Sequence, residues 1–198
     1  AGYRSRYSHE KEWVSPNYYG VELLDYGVKA EMTSGIRSGI LKFTYPDSDS
    51  SFILLDLNHT LWQSCPWSNI RVENDSTLTG YKLVKGWGPE RHVYFTAVFS
   101  KPFRDFGIMQ DTIPVKYNTN RFRSSLEAWG KDLRFWMRFP TQEGESVTVK
   151  VAISAVSTEG AVNNMRELEG KDFATLKMEG EKLWEEQLSK FAIEGTQK

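Results

Sequence analysis

Three histidines (His9, His59 and His92) and a single cysteine, Cys65, are all the imidazole and thiol that the chain carries. Its chemistry must be built from little else. Ser8-His9-Glu10 sets a hydroxyl, an imidazole and a carboxylate in a row. These are the residue types of a nucleophilic triad, but triads are assembled across space rather than along the chain, so the run is not expected to act as one. No H-E-x-x-H helix, nucleophile elbow, P-loop or dinucleotide fingerprint is present. Gly86-Trp87-Gly88 lacks the third glycine and the helix opening of a phosphate loop and reads as a tight turn. A lone cysteine can neither close an intrachain disulfide nor supply a cysteine-rich metal site. The 26 acidic residues hold material for a glycosidase acid–base pair, yet order along the chain cannot place two of them across a cleft. No catalytic, cofactor-binding or metal-binding residue is therefore assigned.

What remains is aromatic. Trp62 and Trp67 bracket the loop-like run Leu61-Trp62-Gln63-Ser64-Cys65-Pro66-Trp67, and Trp87 sits in the glycine-flanked turn. Indole faces stack on the apolar faces of sugar rings, and loops are where such contacts are carried. The other reading is that the three fill the core or a seam between domains. For Trp136 and Trp184, in a strand and a helix, this second reading, core or a seam between domains, is the one taken.

The elements around them are mostly strands. Tyr18–Leu24 and Val28–Thr33 flank Asp25-Tyr26-Gly27 and pair as a hairpin. Further strands are expected at Ile40–Tyr45, Phe52–Leu57, Ser68–Glu73, Leu78–Lys85, His92–Phe99, Phe103–Met109, Leu133–Phe139 and Ser146–Ser154. In the last of these Val147, Val149, Val151 and Ile153 fall at every second position. That period puts one face on a core and leaves Thr148, Lys150 and Ala152 for water or a second layer. Ten or so strands without intervening helices argue for packed antiparallel sheets rather than βαβ units. The pattern changes at Glu159: 160–168 reads as helical, Gly170 ends it, and Asp172 is an N-cap for a second, amphipathic helix running to Phe191. The fold expected is mainly β, a large antiparallel β-sandwich with one or two helices at its C-terminal end.

Charge is nearly balanced, with 25 Lys plus Arg against 26 Asp plus Glu, which gives a nucleic-acid backbone nothing to hold. No run approaches the ~20 apolar residues of a membrane-spanning helix. The chain opens on Ala-Gly-Tyr-Arg, with neither an initiator methionine nor a leader, and is expected to be a fragment of something longer. Asn58-His59-Thr60 and Asn74-Asp75-Ser76 match the glycosylation sequon, which carries no meaning in the bacterial protein expected here.

Several blocks, in order, resemble glycoside hydrolase family 92, the exo-acting α-mannosidases. Tyr7-Ser8-His9-Glu10-Lys11-Glu12 followed by Ser15-Pro16-Asn17-Tyr18-Tyr19 is similar to that family's FSH-x-x-E…(P)GYY entry, and Leu24–Thr33 to its L-x-DYGI-x-AELT segment. Arg37-Ser38-Gly39 and Phe43-Thr44-Tyr45-Pro46 follow where the family has R-x-G and (Y/F)-x-FP. Val93–Phe103 resembles the YF-x-x-x-FSKPF block and Ile153–Ala161 the ISFVS-x-EGA block, with Asp172-Phe173 and Trp184…Leu188 echoing what comes after. Asn17 departs from the pattern by standing where the family often has Gly, and the Trp62–Trp67 segment matches nothing in it; either could mark a subfamily with another linkage preference.

The resemblance implies a supersandwich-like N-terminal domain over residues 1–157, lacking its first part, and a helical linker over 158–198 leading to an (α/α)6 catalytic barrel that this sequence does not contain. It implies inverting hydrolysis of terminal α-linked mannose, of the α-1,2 type. One carboxylic acid protonates the leaving oxygen and one carboxylate activates water, the two spaced to admit that water. A calcium ion in the full-length enzyme, held by oxygen ligands, is implied as well, with none expected in this fragment. The implied partners are the missing catalytic domain and mannose-containing glycans, and the implied location is periplasmic or extracellular. On its own the fragment is expected to be inactive. The alternative is a freestanding carbohydrate-binding β-sandwich module without catalysis.

Overall fold

The computed structural model describes residues 3–103, 105–110, 113–114, 126–192 and 195. Residue 104, within the strand expected at Phe103–Met109, and residues 193, 194 and 196–198 of the expected helical tail lie outside the described residues.

Thirteen strands are found among the described residues: β1 Glu12–Ser15, β2 Tyr18–Leu23, β3 Val28–Ser34, β4 Ser38–Thr44, β5 Ser48–Asp56, β6 Ser64–Asn74, β7 Thr77–Lys85, β8 Arg91–Phe99, β9 Asp105–Gln110, β10 Ile113–Pro114, β11 Leu126–Gly130, β12 Leu133–Thr141 and β13 Ser146–Ser154. They form two antiparallel sheets. The large one has the order β1-β2-β3-β4-β13-β8-β7-β6-β11, the small one β10-β9-β12-β5. The β2–β3 hairpin forms in the register expected, Leu23 opposite Val28, with Gly27 at φ 63 supplying the left-handed turn position that glycine takes without strain. β1 and β11 escape a reading of sequence alone because each is short and has no alternation of its own. They are strands because β2 and β6 offer them a ladder. β5 begins at Ser48, four residues before the strand expected at Phe52–Leu57.

The core lies between the sheets. Ile70, Val72, Leu78, Phe95, Ala97, Phe99, Val147 and Val149 come from the large sheet, and Ile108, Leu133, Phe135, Met137 and Phe139 from the small one, all buried. Burial alternates strictly along β12, where Leu133, Phe135, Met137, Phe139 and Thr141 are buried and the residues between them are not, as a period of two requires.

The other face of the large sheet carries the helices. Helix α1 spans Thr158–Asn164 and is capped by the Ser157 hydroxyl, which accepts from the Gly160 N–H at 3.0 Å. A 3-10 turn follows at Met165–Leu168. Helix α2 spans Phe173–Leu188, and the Asp172 carboxylate caps it by accepting from the Thr175 N–H at 2.8 Å, the role its position predicts. Ala152, on the polar-looking face of β13, is fully buried under this layer, and the Lys150 ammonium donates to the Leu168 carbonyl at 3.1 Å. A second, smaller cluster of Ile40, Leu168 and Leu176, with Met165 and Phe173 against it, pins the helices down. The first half of α2 therefore lies on the sheet. From Glu181 to Ala192 every residue is exposed.

Candidate functional site at the tryptophan-bearing end

Antiparallel connectivity sends alternate loops to the same end of a sheet. Segments 16–17, 35–37, 57–63, 86–90, 131–132 and 155–157 gather at one end of this sandwich, and 24–27, 45–47, 75–76 and 142–145 at the other. All three tryptophans singled out by sequence sit at the first end. Trp62 (82% exposed) is in the 57–63 loop and Trp87 (91%) in the 86–90 turn. Trp67 (44%) is not in a loop: it lies in β6, opposite Leu83 of β7. None of the three fills the core. Trp184 is half-exposed on the part of α2 that runs beyond the sheet, so it does not fill the core of this chain.

The loop that carries Trp62 is held rigid. Asp56 Oδ1 accepts from the Asn58 N–H at 2.8 Å and the His59 N–H at 3.1 Å. The other carboxylate oxygen takes the Tyr3 hydroxyl at 2.6 Å and the Arg134 guanidinium at 3.0 Å. Lys82 donates to the His59 carbonyl at 2.8 Å, and the Thr60 hydroxyl closes the loop on the Gln63 carbonyl. The Trp87 turn packs on that loop: a Cβ at Gly86 would come within 2.7 Å of the Gln63 side chain, so glycine is what lets the two approach. The 57–63 loop also rims a polar depression lined by Tyr3, Asp56, His59, Gln63, Lys131 and Arg134.

Beside it, on the outward face of the large sheet, runs an aromatic row that register alone assembles. Trp129, Asn69, Tyr81 and Tyr94 are successive cross-strand neighbours on β11, β6, β7 and β8, and Trp67, Leu83 and His92 form the next row. The Tyr81 ring lies 5.9 Å from Trp129 and 5.5 Å from Tyr94, and His92 stacks on Tyr94 at 5.9 Å with 17° between planes. Cross-strand register is invisible in one sequence, which is why Tyr81, Tyr94 and Trp129 were not legible as a group.

The electrostatics suit binding rather than proton transfer. Burial pushes the Asp56 carboxyl up, but the Tyr3 hydroxyl, Arg134 and the Asn58 N–H outweigh it and leave the carboxyl below its usual range. A carboxylate held ionised by such partners is a poor general acid. Cys65 is buried and its thiol is pushed up, chiefly by that burial, which leaves it inert. The Ser8-His9-Glu10 run forms no triad: Ser8 accepts from the Glu10 N–H at 3.3 Å, while His9 pairs with Glu12 at 2.6 Å. Asn17, the departure from the family pattern, has φ 64, the left-handed conformation that glycine and, after it, asparagine take most readily. Its amide also donates to the Thr33 hydroxyl at 3.0 Å and accepts from the Ser34 hydroxyl at 2.9 Å. What the end presents is a set of aromatic faces beside fixed polar groups, an arrangement able to stack on and hydrogen-bond a sugar or to seat another domain.

The model of the glycosyl hydrolase family 92 N-terminal domain matches residues 1–154. An α-mannosidase of Bacteroides thetaiotaomicron from family 92, solved alone and with mannoimidazole, is 67% identical over 98% of this chain with a TM-score of 0.93, and this chain covers 26% of it. A second mannosidase of that organism, described as inverting, shares the fold at 20% identity and a TM-score of 0.80, and a bacterial glucoamylase at 11% and 0.55. No curated protein matches the chain. The chain thus spans about a quarter of the length of the mannosidases it matches. With a family match over residues 1–154 on a two-sheet antiparallel sandwich, the chain belongs to glycosyl hydrolase family 92, as its N-terminal domain.

Proposed function

We propose that this chain is the sandwich domain of an inverting, calcium-dependent exo-α-mannosidase of the α-1,2 type. In this reading it buttresses an (α/α)6 barrel carried elsewhere in the same longer protein, and lends the Trp62, Trp67 and Trp87 end to the wall of its sugar pocket. The observation that carries the reading is where exposed apolar surface collects. Six large apolar side chains are more exposed than any others among the described residues: Ile36, Leu61, Trp62, Trp87, Val156 and Phe191, from 81% for Val156 to 91% for Trp87. Five sit on loops of the tryptophan-bearing end, and the sixth follows α2. That helix passes the 16–17 turn at Gly180, which abuts Asn17, and continues with Leu183, Trp184 and Leu188 uncovered. Apolar surface concentrated this way marks an interface, and the much longer family relatives supply the occupant, a further domain of the same chain.

Catalysis in this reading belongs to that further domain. Among the described residues no three His, Cys, Asp or Glu side chains are grouped as they would be around a metal ion, and the calcium ion of this reading is assigned to the longer protein. A bacterial periplasmic or extracellular enzyme acting on mannose-containing glycans completes the proposal. The deciding experiment is mannose release from aryl-mannosides and mannobiose, with calcium and then with chelator, by this chain and by the longer protein. Release only by the longer, calcium-loaded protein supports the reading; release by this chain alone would overturn it.

The uncovered tryptophans favour one second reading, a carbohydrate-binding module. Titration with mannose oligosaccharides, followed by tryptophan fluorescence, separates the two. Binding by this chain that is lost in Trp67→Ala or Trp87→Ala favours the module, and no response at millimolar sugar favours the buttress.

A further inference from the structure

Among the described residues one buried polar side chain stands without a partner. Thr96, in β8, is 3% exposed, and its hydroxyl makes no hydrogen bond. The other buried polar side chains each have one. An orphaned hydroxyl is less favourable than an apolar group of the same shape, so it calls for an occupant or a role.

Thr96 is not part of the core between the sheets. It lies on the outward face of the large sheet, at the floor of a groove of about 690 Å³ between that face and the helical layer of α1 and the turn after it. Register sets Thr79 of β7 beside it, with Thr77 and Val98 in the next row. Val162 and Met165 line the helical side. The groove also carries polar groups with nothing to bond. The side chains of Asn163, Arg166 and Glu169 make no hydrogen bond or ion pair among the described residues. Glu73 is already held: it accepts from the Thr79 hydroxyl at 2.6 Å and pairs with Arg71 at 3.4 Å. Two residues further along β7 and β8, about 7 Å away, Tyr81 and Tyr94 lie on the same face with ring centroids 5.5 Å apart.

These groups select the class of ligand. An anion would meet Glu73, Glu159 and Glu169, and a cation would meet Arg166 and leave its donors unused. Neighbouring hydroxyls donate to a carboxylate and accept from a guanidinium or amide at once. The C–H face of a pyranose lies on valine, methionine or an aromatic ring. The volume is that of a small-molecule site.

We propose that the groove between α1 and strands β7 and β8 is a binding site for a neutral sugar. Thr96 and Arg166 bond the hydroxyls of one ring, and Tyr81 and Tyr94 receive the next. The site uses none of Trp62, Trp67 and Trp87, and it does not rest on the mannosidase reading.

Nuclear magnetic resonance titration tests it, with mannobiose and maltose as probes and spermidine and sulfate as charged controls. The methyl signals of Thr96, Val98, Val162 and Met165 shift with at least one sugar at millimolar concentration, in this 198-residue chain and in the longer protein alike. Thr96→Val keeps the shape and the melting temperature but weakens that response about fivefold. Arg166→Ala, at an exposed position, weakens it as well, while Trp67→Ala and Trp87→Ala leave it unchanged. No shift with either sugar would overturn the proposal, as would a stronger response to spermidine or sulfate, or a groove silent in the longer protein because another domain covers it. A response lost with the tryptophans and kept in Thr96→Val would sink this inference and leave the binding-module reading standing. Mannose release is read separately: an inactive longer protein with a responsive groove sinks only the mannosidase reading.

Discussion

At the scale of single residues, Glu167 shows how one carboxylate can lock a loop at the tryptophan-bearing end. Its oxygens accept from the Ile36 N–H at 2.7 Å, the Arg37 N–H at 3.1 Å and the Ser38 hydroxyl at 2.7 Å. Burial acts to raise its carboxyl, but the hydrogen bonds from Ile36, Ser38 and Arg37 prevail and hold it below the usual carboxylate range. A carboxyl lowered in the folded state contributes stability that is present above its unfolded value, ~4.3, and is lost as pH falls through the folded value. Glu167→Gln therefore costs about 1 kcal/mol at pH 7, discounted for partial exposure, and the gap to the parent closes as pH drops below about 4. Urea melts at pH 7 and pH 3 check this; a gap that is constant with pH would mean the side chain acts by packing.

At the scale of elements, the helices depend on a core of their own. Ile40, Leu168 and Leu176 are buried together, apart from the cluster between the sheets. Leu176→Ala leaves a cavity there and should cost about 2–4 kcal/mol. Because the two clusters are separate, the loss falls on the docking of α2: limited proteolysis between Phe173 and Ala192 accelerates while the far-ultraviolet β signal holds. Simultaneous loss of the sheet signal would show the clusters to be one cooperative unit. Gly180 works in the same place, since a Cβ there would overlap the Asn17 side chain. A small residue on the helix and a left-handed asparagine in the turn are thus two halves of one close approach.

At the scale of the molecule, the proposed interface takes in the overhang of α2, where Leu183, Trp184 and Leu188 are exposed. Trp184 and Leu188 are each about half exposed in this chain, so Trp184→Glu with Leu188→Glu should change the stability of the 198-residue chain by no more than about 1 kcal/mol. In the longer protein the same pair buries two charges against an apolar partner and should lower its thermal midpoint by several degrees. Calorimetry of both lengths reads this; equal effects would mean that α2 stays uncovered in the longer protein.

Sequence by itself determined the elements whose cause is local. Alternating valines made β13, Asp25-Tyr26-Gly27 made the β2–β3 turn, and Asp172 capped α2, because turn geometry, capping and a period of two are properties of neighbouring residues. The ordered blocks also carried the family, which the match over residues 1–154 confirms. Only the tertiary structure decided the rest. β1 and β11 exist because a neighbouring ladder accepts them. Trp67 moved from loop to strand, and Trp184 proved half-exposed rather than part of this chain's core. The aromatic row of Trp129, Tyr81 and Tyr94 arises from residues far apart in the chain that register sets side by side. The physical reason is the same in each case: a side chain's direction along a strand repeats every two residues and can be read locally, but which strand lies next to it, and whether anything covers the outer face, are settled by long-range pairing.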